Sequence, residues 1–262
     1  MKKIFVIGDR ASKSLSPLIF NHWLKKYKIK AKYGYKEIKK KDFNKKINKI
    51  LKQKDIIGLN VTIPFKKNLI SLLDRADKHV KNIGAVNCIT IKNNKLFGTN
   101  TDWVGYKKCL EKKKLSKKSK IIIIGYGGAS KAVCYYFFKE GFDNVIVFNR
   151  TKKLVKKHPK KQYSKKLNLL SKHLGAASLL INTTPTNPIK PEQIKLLGKK
   201  TTVSDIVYLP KNTAFLRQFK NNKKIFGIEM LINQAVPCFE KWFGFKPSLD
   251  KKLINKIEKL IK

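Results

Sequence analysis

Residues Ile121-Ile122-Ile123-Ile124-Gly125-Tyr126-Gly127-Gly128-Ala129-Ser130-Lys131-Ala132 form an apolar run that stops at glycines and passes into a helix-forming sequence. A short unbroken run of β-branched residues reads as a strand buried on both faces, the kind found in parallel sheets covered by helices. Gly125 makes the turn. Gly127 and Gly128, lacking Cβ atoms, let backbone N–H groups approach an anion at the positive end of a helix beginning near Ala129. A helix over 131–140, the turn at Gly141 and a second strand, Asn144-Val145-Ile146-Val147-Phe148, complete a βαβ unit. This order suits a dinucleotide cradle, although Ser130 stands where the third glycine of the usual fingerprint falls, so the turn alone leaves the cofactor reading open.

Downstream, where an NAD-binding unit places an acid against the ribose 2′-hydroxyl, the chain has Asn149-Arg150-Thr151 and then Lys152-Lys153. A carboxylate would repel a 2′-phosphate, whereas Arg150 can donate bidentate hydrogen bonds to it and stack on adenine. NADP is therefore favoured over NAD. The competing reading makes Arg150 one more solvated cation in a very basic chain.

The 262 residues suit two domains of ordinary size, and a 42% hydrophobic content supplies proper cores despite 29% charged residues. No apolar run is long enough to span a bilayer and the N-terminus has no signal-peptide core, so a soluble, cytoplasmic protein is expected. The 4 cysteines, Cys88, Cys109, Cys134 and Cys238, are scattered without metal-ligand spacing, which predicts reduced buried thiols and no metal site. The net charge of +45, from 61 Lys+Arg against 16 Asp+Glu, would naively point to nucleic acid or an anionic membrane. The excess is almost all lysine, spread end to end and accompanied by Ile, Asn and Phe, as an A- and T-biased genome produces. No specific nucleic-acid partner and no membrane are expected, only nonspecific binding that fades with salt.

In chain order, a strand over 3–8 leads to Ser14-Leu15-Ser16-Pro17, with Ser16 read as a helix N-cap and Pro17 as the first helical residue. Ser14 and Ser16 can also bind a carboxylate at the end of a strand. A strand over 33–38 and a lysine-rich amphipathic helix over 42–51 follow. Leu59, Val61 and Ile63 then alternate with Asn60 and Thr62, placing polar groups on one face before Pro64. Lys66 is expected to begin a helix, close to its positive dipole end. Residues 85–102 read as a hairpin turning at Asn93-Asn94 and leading into a helix that runs to about residue 113, with Asp102 either its cap or the partner of a lysine. Strands over 179–185, 201–210 and 224–227 continue a parallel sheet, and 229–242 and 248–261 read as helices.

Together these motifs resemble the shikimate dehydrogenase family, collinearly over essentially the whole chain. The matching pieces are Ser14-Leu15-Ser16-Pro17, Asn60-Val61-Thr62-Ile63-Pro64-Phe65-Lys66, Gly84-Ala85-Val86-Asn87, Asn100-Thr101-Asp102, Gly125-Tyr126-Gly127-Gly128-Ala129, Asn149-Arg150-Thr151, Asn182-Thr183-Thr184-Pro185, Asp205-Ile206-Val207-Tyr208-Leu209-Pro210 with Thr213, and 227–235. The resemblance implies an α/β protein of two domains flanking a cleft: a substrate domain over 1–101 plus 237–262, and a Rossmann-like NADP-binding domain over 102–236. It implies that Lys66 donates and accepts the proton, paired with Asp102. Ser14, Ser16 and Tyr208 would hold the substrate carboxylate, and Asn60, Thr62, Asn87 and Gln234 its ring oxygens together with the Lys66–Asp102 pair. Cofactor contacts would fall at Gly125, Gly127, Gly128, Ala129, Asn149, Arg150, Thr151, Lys153, Thr183, Gly227 and Met230. The implied reaction is the reversible NADPH-dependent reduction of 3-dehydroshikimate to shikimate, by a monomer or homodimer.

Three positions depart from the family's pattern. Trp103 stands where glycine is usual, Cys88 where threonine is common, and Leu154 where another basic residue is often found. The alternatives are a related quinate/shikimate dehydrogenase able to use NAD, and a basic nucleic-acid-binding protein on an inactive enzyme fold. Arg150→Ala is expected to raise the Michaelis constant for NADP and erode the preference over NAD in steady-state assays; an unchanged preference would count against the 2′-phosphate assignment.

Overall fold

Two separate hydrogen-bonded sheets of six strands organise the chain. The structure, a computed structural model, describes residues 1–111, 113, 115–156 and 161–261, without the side chains of residues 156 and 161. It divides into one unit of Met1–Thr101 with Gln234–Leu260 and another of Asp102–Asn233 with the last residues.

In the first unit, β1 (Lys2–Gly8), β2 (Ala31–Glu37), β3 (Ile56–Val61), β4 (Arg75–Ala76), β5 (Cys88–Lys92) and β6 (Lys95–Thr99) form a mixed sheet in the order β2-β1-β3-β5-β6-β4. β1 runs parallel to β2 and β3, while β5 is antiparallel to β3 and β6. The β5–β6 turn works because Asn93 and Asn94 both take positive φ, 51° and 57°, as a tight hairpin requires. Inward residues Ile7, Ile47, Leu59, Val61, Phe65, Val86 and Ile89 share one core. An aromatic group on helix Ser16–Lys26 and the end of helix Gly227–Phe243 joins the C-terminal return to this unit. Phe20 stacks on Tyr33 with centroids 4.4 Å apart, Phe239 meets Trp23 edge-on at 5.5 Å, and Trp242 Nε1 donates to Ile89 O at 3.1 Å.

Ser16 does not cap its helix: the helix begins at Ser16 itself after Leu15, and the Ser14 hydroxyl accepts the Ser16 N–H at 3.2 Å, so Ser14 supplies the local turn bond. The last helix is Lys251–Leu260, three residues shorter at its start than expected, because Asp250 stands before it and accepts Leu253 N–H at 2.9 Å.

The second unit is a parallel sheet. β7 (Ile121–Ile124), β8 (Val145–Asn149), β9 (Leu154–Lys156), β10 (Lys161–Tyr163), β11 (Lys165–Lys166), β12 (Leu179–Asn182), β13 (Thr202–Asp205) and β14 (Lys224–Ile225) follow in sequence. All but the separate antiparallel β9–β10 pair lie in the order β11-β8-β7-β12-β13-β14. Ile121 and Ile123 enter one core, with Val133, Phe137 and Val147, while Ile122 and Ile124 enter another, with Leu180, Val203 and Phe215. That is the two-sided burial the isoleucine run implied. Helix Asp102–Leu110 ends short of residue 113, and the link from β8 to β11 carries the β9–β10 pair rather than a helix. The four cysteines are free and buried, and among the described residues no helix is long and apolar enough to cross a membrane.

Asp250 also ties helix Ser16–Lys26 to the C-terminal helix, with Lys26 Nζ at 2.6 Å and His22 Nε2 at 3.1 Å from its carboxylate oxygens. The Lys26 hydrogen bond first, then Leu253 N–H and His22, hold this carboxyl below the usual carboxylate range. A lowered folded value gives stability that is full above the ordinary value of 3.8 and is lost as pH falls below it. Asp250→Asn should lower Tm by roughly 2 °C at neutral pH, and the difference from wild type should shrink as pH drops from about 5 towards 2. A pH-independent difference in paired thermal melts would contradict this.

Candidate active site

In the first unit the polar residues singled out by sequence gather at the ends of β3 and β6. The Asn87 peptide joins the two: Val61 N–H donates to Asn87 O at 2.9 Å, and Asn87 N–H to Thr99 O at 3.3 Å. Its side chain is a hub. Thr101 N–H donates to Asn87 Oδ1 at 2.7 Å, and Asn87 Nδ2 donates to Thr101 Oγ1 at 2.9 Å and to Gln234 Oε1 at 3.1 Å. Asn60 joins it, donating from Nδ2 to Asn87 O at 3.0 Å and to Cys238 Sγ at 3.2 Å while Oδ1 accepts the Tyr33 hydroxyl at 2.7 Å. Buried amides so completely engaged are fixed in orientation. Gln234 brings helix Gly227–Phe243 into the hub, and it is at this residue, rather than at 237, that the chain rejoins the first unit.

Lys66 lies beside this cluster in sequence and fold. After β3, Thr62 N–H bonds Ile7 O at 2.9 Å, the chain turns through 63–67, and Val86 N–H donates to Lys66 O at 2.8 Å. Phe65 and Leu69, buried in the core, seat the turn. The expected helix does not begin at Lys66. A short 3-10 helix, Asn68–Leu72, follows instead, because Phe65 and Leu69 both turn inward, so Lys66 does not sit at a helix N-terminus and no helix dipole acts on it. Lys66 is 9% exposed and is the only buried Lys or Arg among the described residues. Ser16 is buried, and Ser14 and Thr62 are half-buried.

In the second unit Asp102, 4% exposed, opens helix Asp102–Leu110 directly after Thr101. Trp103, at the family's glycine position, packs edge-to-face on Tyr135 at 5.8 Å with Lys139 Nζ 5.5 Å from its ring. Tyr208 is half-buried in the irregular loop after β13.

The glycine turn is built as the sequence implied. Gly125 has φ +102°, a left-handed value, and a Cβ there would come within 2.5 Å of Thr183 Oγ1. Thr183 itself donates to Ile124 O at 2.6 Å, and Ser130, at the absent third glycine, donates to Gly125 O at 2.6 Å. Two hydroxyls thus lock the turn. Helix Gly128–Lys139 opens at Gly127, where a Cβ would meet nothing within 4 Å, so the helix N-terminus with Gly128 and Ala129 has open space for an anion. At the end of β8, Asn149 Nδ2 donates to Thr151 O at 2.8 Å, closing a loop that leaves Arg150, Thr151, Lys152 and Lys153 exposed. Those residues fit a nucleotide carrying an extra phosphate. Gly227 admits no side chain, since a Cβ would lie 2.4 Å from Val207 O, and Met230 is buried in the core.

The comparisons with known proteins decide the family. Residues 6–89 match a model described as the shikimate dehydrogenase substrate binding domain, and 108–215 one described as shikimate / quinate 5-dehydrogenase. The chain is 34% identical to a shikimate dehydrogenase (NADP(+)) of Rhizobium meliloti, over 95% of this chain and 92% of that protein. A solved shikimate dehydrogenase in complex with NADP+ is 30% identical with a TM-score of 0.85, covering 100% of this chain and 96% of that one. The Thermus thermophilus enzyme, solved with NADP(H) and shikimate, is 25% identical with a TM-score of 0.82 over the full length of both. The chain belongs to the shikimate dehydrogenase family. Its fold class and its NADP cofactor are those expected of shikimate dehydrogenases from the sequence.

Several members of the hub carried a weak signal or none. Thr101 lies inside the Asn100-Thr101-Asp102 motif but had no assigned role, Tyr33 read as plain strand, and Cys238 had no local pattern. Cys88, at the family's threonine position, lies near Cys238, and burial pushes its thiol well up, so it stays protonated. Gly125→Ala should destabilise the protein by about 1–2 kcal/mol, from the left-handed backbone alone, and weaken NADP binding in fluorescence titration. Unchanged NADP affinity would contradict the cradle.

Proposed function

We propose that the chain catalyses the reversible NADPH-dependent reduction of 3-dehydroshikimate to shikimate, on the route to chorismate and the aromatic amino acids. The observation that carries this reading is the burial of Lys66. Desolvating an ammonium costs several kcal/mol, and a chain carrying 61 Lys+Arg has ample surface for cations. One buried and backbone-bonded to Val86, the residue before Asn87, has a chemical use.

NADP, when bound, supplies or takes up the hydride at the ring carbon. As the carbon–hydrogen bond forms, the carbonyl oxygen gains alkoxide character, and Lys66 Nζ stabilises that charge and passes its proton to the oxygen. In shikimate oxidation Nζ takes the proton back. Asp102 pairs with the ammonium and holds it in line. Ser14, Ser16 and Tyr208 take the substrate carboxylate, and Asn60, Thr62, Asn87 and Gln234 serve the ring oxygens. Each substrate oxygen left unpaired when desolvated would cost about 1–3 kcal/mol, which is why the site is dense in amides and hydroxyls. Gly125, Gly127, Gly128 and Ala129 cradle the pyrophosphate, Asn149, Arg150, Thr151 and Lys153 the 2′-phosphate, and Thr183, Gly227 and Met230 complete the cofactor site. The protein works in the cytoplasm as a monomer or homodimer.

The test is NADP reduction with shikimate, repeated with quinate and with NAD. Shikimate with NADP should be the most efficient pair, and Lys66→Ala should lose about 10²–10⁴-fold in kcat with a much smaller change in the shikimate KM. Near-normal turnover of the variant would overturn the role of Lys66, and quinate exceeding shikimate in kcat/KM would transfer the assignment to a quinate dehydrogenase.

A further inference from the structure

Among the described acids only Asp102 and Asp205 are buried, and the reaction uses only the first. Asp205, 2% exposed, ends β13 within the second unit, where an irregular loop runs from Ile206 to Thr213 before helix Ala214–Arg217. Its carboxylate holds both ends of that loop. Oδ1 accepts Val207 N–H at 3.0 Å, at the loop's start, and Oδ2 accepts the Thr213 hydroxyl at 2.6 Å, at its end. Asn182 Nδ2 adds a third bond to Oδ1 at 3.3 Å from the neighbouring strand. Thr213 in turn accepts Leu216 N–H at 3.2 Å, so the clasp is anchored to the following helix.

Such burial is costly. Desolvation raises the Asp205 carboxyl above its ordinary value in spite of the three hydrogen bonds that lower it. A threonine or asparagine could satisfy one of these donors more cheaply, but a carboxylate alone offers acceptors on two oxygens in opposite directions. What lies between the two anchored ends is Tyr208-Leu209-Pro210-Lys211-Asn212. The Val207 carbonyl also abuts Gly227, where any side chain would collide, so the start of the loop is backed from behind as well as held from within.

We infer that Asp205 is a positioning residue for the reductase reaction: it clasps the two ends of the 206–213 loop so that Tyr208 is presented to the substrate carboxylate at a fixed place. This rests on the role given to Tyr208 under the proposed function. It assigns a task to the Asp205 and Thr213 positions of the sequence motif, which the chemistry itself left without one.

The test uses the full chain with Asp205→Ala, Asp205→Asn and Tyr208→Phe, alone and combined. Hydrogen exchange of the ligand-free protein reads the clasp without activity: Asp205→Ala should raise exchange at amides within 206–213 selectively. In steady state Asp205→Ala should raise the shikimate KM roughly tenfold, the scale of one lost charge-assisted hydrogen bond, with the NADP KM within about twofold. Asp205→Asn, which keeps an oxygen for Val207 N–H but not for the Thr213 hydroxyl, should recover only part of that loss, and in the Tyr208→Phe background Asp205→Ala should add little. Unchanged exchange at 206–213, or an equal rise in both KM values that persists in the Tyr208→Phe background, would overturn the inference. If Tyr208→Phe alone leaves the shikimate KM unchanged while Asp205→Ala frees the loop, the Tyr208 assignment falls and the clasp stands. Should Asp205→Ala not fold, Thr213→Val, which removes one of the three bonds, carries the same comparison.

Discussion

The side chain of Asn87 is where the first unit is closed, and the candidate chemistry depends on that closure. Its side-chain amide accepts the Thr101 N–H, donates to the Thr101 hydroxyl and reaches Gln234, while the Asn87 backbone carbonyl oxygen accepts from Val61 N–H and from Asn60 Nδ2. A buried amide with half its partners would cost more than an apolar core, so the set stands or falls as one. Thr101 fixed by this hub is followed at once by Asp102, and Val86, just before Asn87, donates the backbone bond that holds Lys66 O. The amide cluster within the first unit is therefore held in one arrangement by its own bonds.

The second unit solves a different problem with the same kind of economy. Its parallel sheet buries a run of isoleucines on both faces and must stop where a phosphate can approach a helix N-terminus. The left-handed turn at Gly125 makes that stop, pinned by the Thr183 and Ser130 hydroxyls to main-chain carbonyls. Ser130 replaces a glycine whose usual job is close packing, and here it contributes a bond to the turn instead. The cations of the 150–153 loop remain at the surface, where a phosphate can meet them without burying uncompensated charge.

Much of this was legible in the sequence. The isoleucine run, the glycines and the Asn93-Asn94 turn announce themselves because strand burial and turn geometry are local properties of the chain. The motif around Lys66 and the one at Asp102 are legible too, as family pattern. Their structural setting is less so: a lysine after a proline suggested a helix start, yet two inward hydrophobes, Phe65 and Leu69, produce a 3-10 turn. The Ser16 cap failed because Ser16 is already the first helical residue, and Ser14 takes its N–H. What no local pattern could supply is the hub itself, whose Asn87–Gln234 and Asn60–Cys238 bonds join residues 147 and 178 positions apart. Likewise, the loop clasp at Asp205 is a matter of which two oxygens face which donors.

The net charge of +45 also finds its place. Among the described residues Lys66 is the one buried Lys or Arg, and the other lysines are exposed or half-buried. That burial sets Lys66 apart from the cations that accumulate at the surface. The most direct measurement is a crystal structure of the protein with shikimate bound. The account predicts shikimate hydroxyl oxygens within about 2.7–3.2 Å of Lys66 Nζ and of the Gln234 side-chain amide, with the Asn87–Thr101–Gln234 bonds unbroken. Shikimate bound away from Lys66, or bound there only after Asn87 has released its partners, would contradict it.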